Sequence, residues 1–263
     1  MKIWVITKKT GIIYATLLVL LALLMYVGKN EALTVSRANR DLPIYNVEKA
    51  EDDKVISISF DAAWGNEDTG DLITILDKYG VKTTFFVVGQ WVDKYPESVK
   101  QLSDAGHEVM NHSDTHPHMP KLSAEDIKKE ITSCDDKIEN VTGKRPFLFR
   151  PPYGDYDNKT VQSLRELGHY TIQWDVDSLD WKDLSANEIY SRIIPRVKPG
   201  SIVLFHNAAK NTPEALPRIL EKLQQDGYRV IPISELIMRE NFYVDHTGMQ
   251  KPNIEPSPAP ETI

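Results

Sequence analysis

Short apolar runs alternate with longer amphipathic stretches from residue 55 to about residue 240. The short runs are typical of buried strands and cover residues 55–60, 83–88, 108–111, 147–150, 170–175, 202–205 and 229–231. Between them, apolar residues recur three and four positions apart, which predicts helices at residues 69–79, 123–141, 158–167, 186–197 and 213–226. This alternation predicts an α/β domain built on a parallel sheet with helical crossovers.

The number of strand and helix units bears on how the sheet is arranged. Seven units within roughly 180 residues favour a closed or nearly closed (β/α) barrel of about seven strands, with an open sheet as the alternative. In such a barrel, the groups that do chemistry lie at the carboxyl ends of the strands. Polar residues that directly follow a predicted strand are therefore the candidates for a functional site.

Residues 12–27 form an almost wholly apolar run near the N-terminus, preceded by Lys2, Lys8 and Lys9. As a helix, a run of this length extends about 24 Å, slightly short of the bilayer core, and glycines on either side can extend it. The run predicts an uncleaved transmembrane anchor, with a cleaved signal as the alternative. The predicted location is the cell membrane, spanned once, with the folded domain extracytoplasmic because the tail before the anchor is short.

Composition divides the chain into four parts. Residues 1–30 are predicted to be a cytoplasmic tail and membrane anchor, residues 31–54 a linker, residues 55–240 the folded domain, and residues 241–263 a disordered tail. The net charge of −7 argues against nucleic acid as a partner. The single cysteine, Cys134, excludes an internal disulfide, and no feature of the sequence identifies a protein partner.

Polar clusters follow several predicted strands. One reads His-Ser-Asp-Thr-His over residues 112–116, and others begin at Asp61, Arg150, Asp177 and His206. Two histidines four residues apart on a turn can bind one metal ion through neutral imidazole nitrogens and leave positions for water and substrate. His112 and His116 are therefore predicted to bind a divalent metal, zinc in the first place, with cobalt or another divalent ion as the alternative.

Hydrolysis of an unactivated amide needs a polarised carbonyl, a deprotonated water and a proton for the departing amine. A metal ion would polarise the carbonyl, Asp61 would accept the proton from water, and His206 would donate one to nitrogen. Because the base and the acid must hold opposite protonation states at one pH, Arg150 and Asp180 are predicted to stabilise them. A surface salt bridge for Arg150 and a helix cap for Asp180 are the alternatives.

Five motifs in this order resemble those of the polysaccharide deacetylases of carbohydrate esterase family four, which share the NodB-homology domain. They are Ser59-Phe60-Asp61, the cluster at residues 112–116, Arg150-Pro151-Pro152-Tyr153-Gly154, Asp177-Ser178-Leu179-Asp180-Trp181 and Leu204-Phe205-His206. The resemblance covers about residues 55–236. It implies a distorted (β/α) barrel, a divalent metal and removal of acetyl groups from N-acetylated sugars.

The resemblance also implies roles for individual residues. The base, the acid, the group that orients the base and the partner of the acid would be Asp61, His206, Arg150 and Asp180, respectively. The acetyl group would bind in a pocket lined by Tyr153, Trp181 and Leu204. The backbone N–H of Tyr153 would help to hold the oxyanion.

The first motif departs from the family pattern. Where the family has a second aspartate that binds the metal, followed by a Gly-Pro pair, this chain has Ala62, whose methyl group cannot coordinate an ion, followed by Ala63-Trp64-Gly65. Three outcomes are open: the two histidines and extra waters hold the ion, a nearby group substitutes, or metal binding and catalysis are lost. Weakened or altered binding is favoured over outright loss. The candidate substitutes are Glu67, Asp68, Asp114 and His118.

The expected function is metal-dependent removal of N-acetyl groups from acetylated cell-wall glycan, most directly the amino sugars of peptidoglycan. A catalytically impaired carbohydrate-binding protein of the same fold is the alternative that Ala62 suggests, and an O-acetyl esterase on xylan-type glycan is a third. The pair Asp61-Ala62 also resembles the sporulation-associated, PdaB-like branch of the family, which implies a spore-envelope or cortex role. Trp64 and Trp91 are interpreted as aromatics that cap the core, with sugar stacking as the alternative.

Overall fold

The computed structural model describes residues 17–23 and 40–253, and the chain divides into two units, Met1–Arg40 and Asp41–Ile263. In the first unit, residues 17–23 form a helical segment, α1, with exposed side chains. None of the helices in the described ranges combines the length and apolar character that a bilayer crossing requires. Most of the predicted anchor at residues 12–27 lies outside the described residues, as do residues 31–39 of the predicted linker.

The second unit is built on a parallel sheet whose strands lie in the order β6-β5-β4-β3-β2-β8-β7, and a short β9 pairs with the start of β2. A smaller sheet has the order β1-β11-β10. The strands are β1 (Asn46–Val47), β2 (Val55–Ala62), β3 (Thr84–Val87), β4 (Glu108–Asn111), β5 (Leu148–Phe149), β6 (Tyr170–Thr171), β7 (Val176–Asp177), β8 (Ile202–His206), β9 (Arg229–Val230), β10 (Phe242–Val244) and β11 (Met249–Pro252).

Helices connect the strands of the large sheet. They are α2 (Thr69–Lys78), α3 (Gly89–Lys94), α4 (Pro96–Asp104), α5 (Ala124–Thr142), α6 (Asn158–Glu166), α7 (Ala186–Ile193), α8 (Thr212–Gln225) and α9 (Ile233–Leu236). Local sequence sets several of their ends. The hydroxyl of Ser123 accepts from the backbone N–H of Asp126 at the start of α5, and Ser185 and Glu188 form a capping box at the start of α7. The prediction of an α/β domain with parallel strands is confirmed.

The central strand β2 is buried on both faces. Ile58 and Phe60 pack into the main apolar cluster, which contains residues of the surrounding helices. Ser59 and Asp61 point to the opposite face, where both contact the side chain of Arg150. Because side chains alternate along a strand, one face of β2 contributes to the apolar core beneath the helices and the other face contributes polar side chains around Arg150.

The predicted strand at residues 170–175 is wrong in its extent. β6 ends at Thr171, and Val176–Asp177 form β7 at the other end of the strand order. The carboxylate of Asp175 accepts from the backbone N–H of Ile202 at 2.9 Å, which turns the chain toward β8. Residues 229–231, predicted as a strand of the barrel, contribute only the short β9. The large sheet thus has seven strands along one path, which is the expected number. One of them is β7 rather than the predicted strand at residues 229–231.

The sheet is open between β6 and β7, the two ends of the strand order, so the closed or nearly closed barrel that was expected is found as a seven-stranded barrel that does not close. Chain from outside the predicted domain lies in this opening: Ile44 bridges to Ile172, and Asn46 bridges to Ser201. Ile44 and Val47 are buried, so the prediction of a linker over residues 31–54 is wrong from Asp41 onward. The two apolar side chains fill a gap that the sheet itself leaves.

The predicted disordered tail at residues 241–263 is also wrong for its first half. Residues 242–252 contain β10 and β11, and β11 pairs in parallel with β1. The side chain of Gln250 is buried and exchanges two hydrogen bonds with the backbone of Met238. The folded unit therefore extends at both ends beyond residues 55–240, while residues 254–263 lie outside the described part of the chain.

Candidate active site

A cavity of about 340 Å³ lies at the carboxyl ends of the strands. Seven of the nine predicted site residues line it: Asp61, His112, His116, Tyr153, Trp181, Leu204 and His206. The other two, Arg150 and Asp180, are buried and bind lining residues directly. The structure therefore brings together all the residues that the sequence placed at strand ends.

Asp61 forms a buried ion pair with Arg150. Oδ1 of Asp61 lies 2.7 Å from Nη1 of Arg150, and both side chains are almost completely buried. Burial raises the pKa of Asp61, but the charge of Arg150 and its hydrogen bond outweigh this and leave the pKa below its ordinary value. Asp61 is therefore a carboxylate at neutral pH, which is the form that a general base needs.

The guanidinium of Arg150 is held on several sides. Its Nη2 donates to the hydroxyl of Ser59 at 2.8 Å and to the backbone carbonyl of Gln173 at 3.3 Å. The rings of Phe86 and Trp174 lie over it, with centroid distances of 4.2 and 5.6 Å. These contacts fix the arginine in one position and, through it, the carboxylate of Asp61. The alternative of a surface salt bridge for Arg150 is thereby excluded.

His206 forms the second charged pair of the site. Its Nδ1 lies 2.8 Å from Oδ1 of Asp180, whose Oδ2 accepts from the backbone N–H of His206 and the hydroxyl of Thr212. Burial lowers the pKa of His206, but the hydrogen bond and charge of Asp180 outweigh this and raise the pKa above its ordinary value. Because Nδ1 is bound to Asp180, Nε2 is the ring atom left for proton transfer.

The two predicted metal ligands have their rings together, with centroids 5.0 Å apart. Nδ1 of His112 lies 2.6 Å from the carbonyl oxygen of Arg150 and must donate to it, so Nε2 carries the lone pair in the neutral ring. Burial lowers the pKa of His112, and it lowers the pKa of His116 to about 4. Both imidazoles are therefore neutral at neutral pH, as metal ligands must be.

The free lone pair of His112 faces a negative group. Its Nε2 lies 3.5 Å from Oδ2 of Asp61. Two acceptors this close repel each other unless a positive charge lies near both. The donor set thus fits a cation in general and, with two imidazoles, a metal such as zinc in particular. In residues 17–23 and 40–253, however, no group of three or more histidine, cysteine or acidic side chains is arranged to hold an ion.

Ala62 does not line the cavity. Its side chain is completely buried in the apolar cluster with Phe60, and the next residue, Ala63, lines the cavity instead. Of the candidate substitutes, Asp114 binds Lys137 and Ser133, so it is not available as a ligand. His118 is bound through Nδ1 to Asp155.

The other two candidate substitutes are occupied in part. Oδ2 of Asp68 accepts from the backbone N–H of Ala208, and Oε2 of Glu67 accepts from the backbone N–H of Asn66. Burial raises the pKa of Asp68 above its ordinary value. One carboxylate oxygen of each is thus engaged by a backbone N–H, whereas Oδ2 of Asp61 faces Nε2 of His112.

The residues assigned to the acetyl pocket differ in exposure. Leu204 is 2% exposed at the floor of the cavity, whereas Tyr153 and Trp181 are 62% and 52% exposed at its rim. Tyr153 has φ +60° and its ring lies against His116, with centroids 4.5 Å apart. A bulky residue in the left-handed region is strained, and such strain is concentrated at functional sites.

Several residues of the site were missed by the sequence interpretation. Ala63 and Trp174 also line the cavity, while Gln173, Asn207 and Thr212 hold its charged residues and loops. Ser59 and Asp177 were named in the motifs without a role; Ser59 accepts from Arg150, and Asp177 lines the cavity. Trp174 was placed inside a predicted strand, where its side chain had no assigned direction. The position of Asn207 next to His206 was the one available indication that it shapes the site.

The arrangement places on one cavity a carboxylate and an imidazole that its neighbours make easier to protonate. Asp61 and His206 lie side by side because β2 and β8 are neighbours and these two residues are paired in register. A carbonyl compound in the cavity would meet a proton acceptor and a proton donor at once. This combination is suited to hydrolysis of an ester or amide.

Comparisons of the chain with a family model and with known proteins indicate the same family. The family model for polysaccharide deacetylase matches residues 48–172. The peptidoglycan-N-acetylmuramic acid deacetylase PdaA of Bacillus subtilis is 32% identical over 194 residues, which cover 72% of this chain and 74% of that protein. The deacetylase PdaC of the same organism is 36% identical over 183 residues, which cover 70% of this chain but 38% of PdaC.

The solved structures include a relative of a different kind. A Bacillus anthracis protein named as a pseudoenzyme of carbohydrate esterase family four matches with a TM-score of 0.71 and 36% identity, over 75% of this chain and 69% of that one. A mutant of that protein is named as having restored enzymatic activity. The fold is thus shared by active deacetylases and by at least one relative that lacks activity.

Proposed function

Because the chain belongs to the polysaccharide deacetylases of carbohydrate esterase family four, we propose that it hydrolyses the N-acetyl groups of a cell-wall polysaccharide. The predicted membership of this family is confirmed by these comparisons. Peptidoglycan is the substrate that the names of the similar deacetylases indicate. We propose its amino sugars as the site of deacetylation.

The observation that carries this proposal is the pairing of Asp61 and His206 in register at one cavity, each beside a buried partner of opposite charge, Arg150 and Asp180. Asp61 accepts a proton from water as the water oxygen attacks the acetyl carbonyl carbon. His206 donates the proton on Nε2 to the nitrogen as the C–N bond breaks, which releases acetate and leaves a free amine. Arg150 and Asp180 hold the two groups in place and in the required protonation states.

We propose that His112 and His116 hold a divalent metal ion, zinc in the first place. When bound, the ion supplies positive charge that polarises the acetyl carbonyl. The neutral state of both rings and the tautomer set by the Arg150 carbonyl support this assignment. With Ala62 in place of the usual aspartate, binding is proposed to be weaker than in relatives that have the carboxylate.

A second candidate function is carbohydrate binding without catalysis. Two observations favour it: Ala62 removes one anionic ligand, and a similar structure is that of a family pseudoenzyme. The presence of Asp61, Arg150, Asp180 and His206 in working geometry favours the catalytic alternative. Direct measurement of acetate release decides between them.

The deciding assay uses the purified full-length chain with each of zinc, cobalt, manganese and magnesium. We expect acetate to be released from peptidoglycan and from N-acetylated chito-oligomers, and less from acetylxylan. The reverse preference would establish an O-acetyl esterase instead. Glycan binding without release of acetate, under all four metals, would establish the non-catalytic alternative.

Replacing Ala62 by aspartate tests how the lost ligand affects the metal. A change in a residue that only supports a metal ligand alters affinity by about 10–100-fold, so a carboxylate that turns from the apolar face of β2 toward the cavity should strengthen zinc binding by at least about tenfold. Zinc affinity is measured by competition with a chromophoric chelator, and Ala62→Asn serves as the uncharged control of the same size. Equal affinities in both variants would show that this position does not face the ion.

The pH dependence of the rate tests the assignment of His206 as the acid. Since its pKa is raised, the protonated form persists above the ordinary range of histidine, and the rate should fall as pH rises through that pKa. Asp180→Asn removes the charge that raises it, so the falling limb should move to lower pH. An unchanged limb in this variant would mean that another group limits the rate at high pH.

We also propose that the domain acts outside the cytoplasm, tethered to the membrane by the apolar run at residues 12–27. A cell-wall substrate lies on that side of the membrane, which supports this placement. The link to sporulation stays a prediction from the Asp61-Ala62 pair. Protease accessibility of the domain in intact spheroplasts would test the orientation.

A further inference from the structure

Trp64 projects from the loop after β2, at the position where the chain departs from the family motif. It lines the cavity, and 50% of its surface is exposed. Trp91, interpreted from the sequence in the same way, is only 2% exposed and donates through its indole N–H to the carbonyl of Gly65. Trp91 therefore caps the core, as expected, whereas Trp64 does not.

The backbone that carries Trp64 is held firmly. The side-chain amide of Asn207 donates to the carbonyl of Trp64 at 2.9 Å and to that of Gly65 at 2.7 Å. The backbone N–H of Asn207 donates to the carbonyl of Asp61 at 3.0 Å, which links this clamp to the base. An exposed indole on a fixed loop is already ordered before a ligand arrives, which lowers the entropic cost of binding.

The strand order places Trp64 next to the acid. β8, which ends at His206, lies between β2 and β7, and the segments that follow these two strands carry Trp64 and Trp181. The indole of Trp64 is within 16° of parallel to the imidazole, with ring centroids 6.2 Å apart. A sugar whose acetamide nitrogen meets His206 therefore has an aromatic surface directly beside it.

The size of the cavity limits what it can enclose. About 340 Å³ is at the low end of small-molecule sites, which suits one acetamido sugar rather than a chain of them. The neighbouring unit of a polymer must then lie on the rim. The apolar face of a pyranose, which carries axial C–H groups, packs well on an indole, and tryptophan combines such a surface with little loss of conformational entropy.

We propose that Trp64 is the platform for a second sugar unit, next to the unit whose acetamide lies between Asp61 and His206. This inference rests on the proposed function and deepens it, because it makes the substrate a linear glycan of at least two units. Trp64 is then a residue that determines preference for chain length. It does so at a position where the family motif has a different sequence.

The test compares binding of the N-acetylglucosamine hexamer with that of the monomer. Full-length chain carrying Asp61→Asn is used, so that bound glycan is not hydrolysed, and affinities are measured by calorimetry. Adding Trp64→Ala should lower the ratio of hexamer to monomer affinity by roughly three- to tenfold, the range expected for loss of aromatic packing. Trp64→Phe should fall between the two, and Tyr243→Ala, which removes an exposed ring on β10, should leave the ratio unchanged.

An unchanged ratio in Trp64→Ala would overturn the platform, whether or not the affinities themselves fall. If the ratio is unchanged while Trp64→Ala also lowers the rate at saturating substrate and shifts the pH profile, Trp64 acts through His206 instead. If the ratio falls but the wild-type chain never releases acetate, the platform stands and the proposed hydrolysis fails.

Discussion

Replacing Asp61 by asparagine is expected to slow acetate release by about 10²–10⁴-fold, the range typical of a lost general base. The amide is nearly the same size and still offers an oxygen to Nη1 of Arg150, so the cavity keeps its shape. It cannot accept a proton from water at neutral pH. The loss should therefore appear in the rate at saturating substrate, measured as initial acetate release from chito-oligomers, with little change in the concentration for half-maximal rate.

A matched control separates this effect from loss of negative charge in general. Asp104 is exposed and pairs with Lys100 one helical turn earlier, so Asp104→Asn should change the rate less than about twofold. The thermal unfolding of both variants is recorded alongside the rates. A decrease of less than tenfold in a folded Asp61→Asn chain would rule out Asp61 as the base. Asp61 would then be considered as a metal ligand, and another carboxylate as the base.

The placement of the site could be predicted because polar residues directly follow apolar strands. In a parallel sheet all carboxyl ends lie on one side, so the order of strands need not be known to expect Asp61, His112 and His206 near one another. The pairing of Asp61 with His206 in register is a finer fact. It depends on β2 and β8 being neighbours in the sheet. These two strands are far apart in the sequence, and no local sequence pattern specifies their pairing.

The errors in the fold have a common physical origin in long-range contacts. Residues 170–175 have the composition of a strand, but the hydrogen bond from Ile202 to Asp175 ends the strand and starts another at the far end of the sheet. Polar residues around Ile44 and after residue 241 suggested solvated chain. Only the opening between β6 and β7 explains why Ile44 is buried there.

The direction of the Ala62 side chain could not be predicted from the sequence either. Because Ala62 follows Asp61 in the motif, the sequence suggested that it occupies the place of a missing metal ligand. Alternation along β2 instead puts its methyl group in the main apolar cluster with Phe60. A carboxylate at this position must turn back toward the cavity or be buried without a partner. The zinc measurements on Ala62→Asp therefore test both the missing ligand and the geometry of the strand end.

Replacing Arg150 by methionine is expected to destabilise the fold by about 3–5 kcal/mol, because it leaves the carboxylate of Asp61 buried without its partner. Methionine fills much of the same space between Phe86 and Trp174, so the loss of charge is the main change. Stability is measured by urea unfolding at neutral pH. Arg165→Met, which removes an exposed arginine paired with Asp41, is the control and should cost less than about 1 kcal/mol.

The double variant Asp61→Asn with Arg150→Met identifies the cause of that loss. If an uncompensated carboxylate is responsible, removing it should recover part of the stability, and the two changes should be far from additive. The pH dependence must agree. In the wild type the pKa of Asp61 is lowered, so this pair stabilises the fold above the unfolded pKa of aspartate and the stabilisation is lost as pH falls through the folded value.

In Arg150→Met, burial acts on Asp61 without the opposing charge, and its folded pKa should lie above the unfolded one. Stability of the variant should then fall as pH rises through that interval, so its deficit relative to the wild type is larger at neutral pH than in mild acid. A deficit that is constant with pH would mean that the arginine acts through packing alone. In that case Asp61 would owe its charge to other neighbours, and the assignment of Arg150 as the group that keeps the base ionised would be wrong.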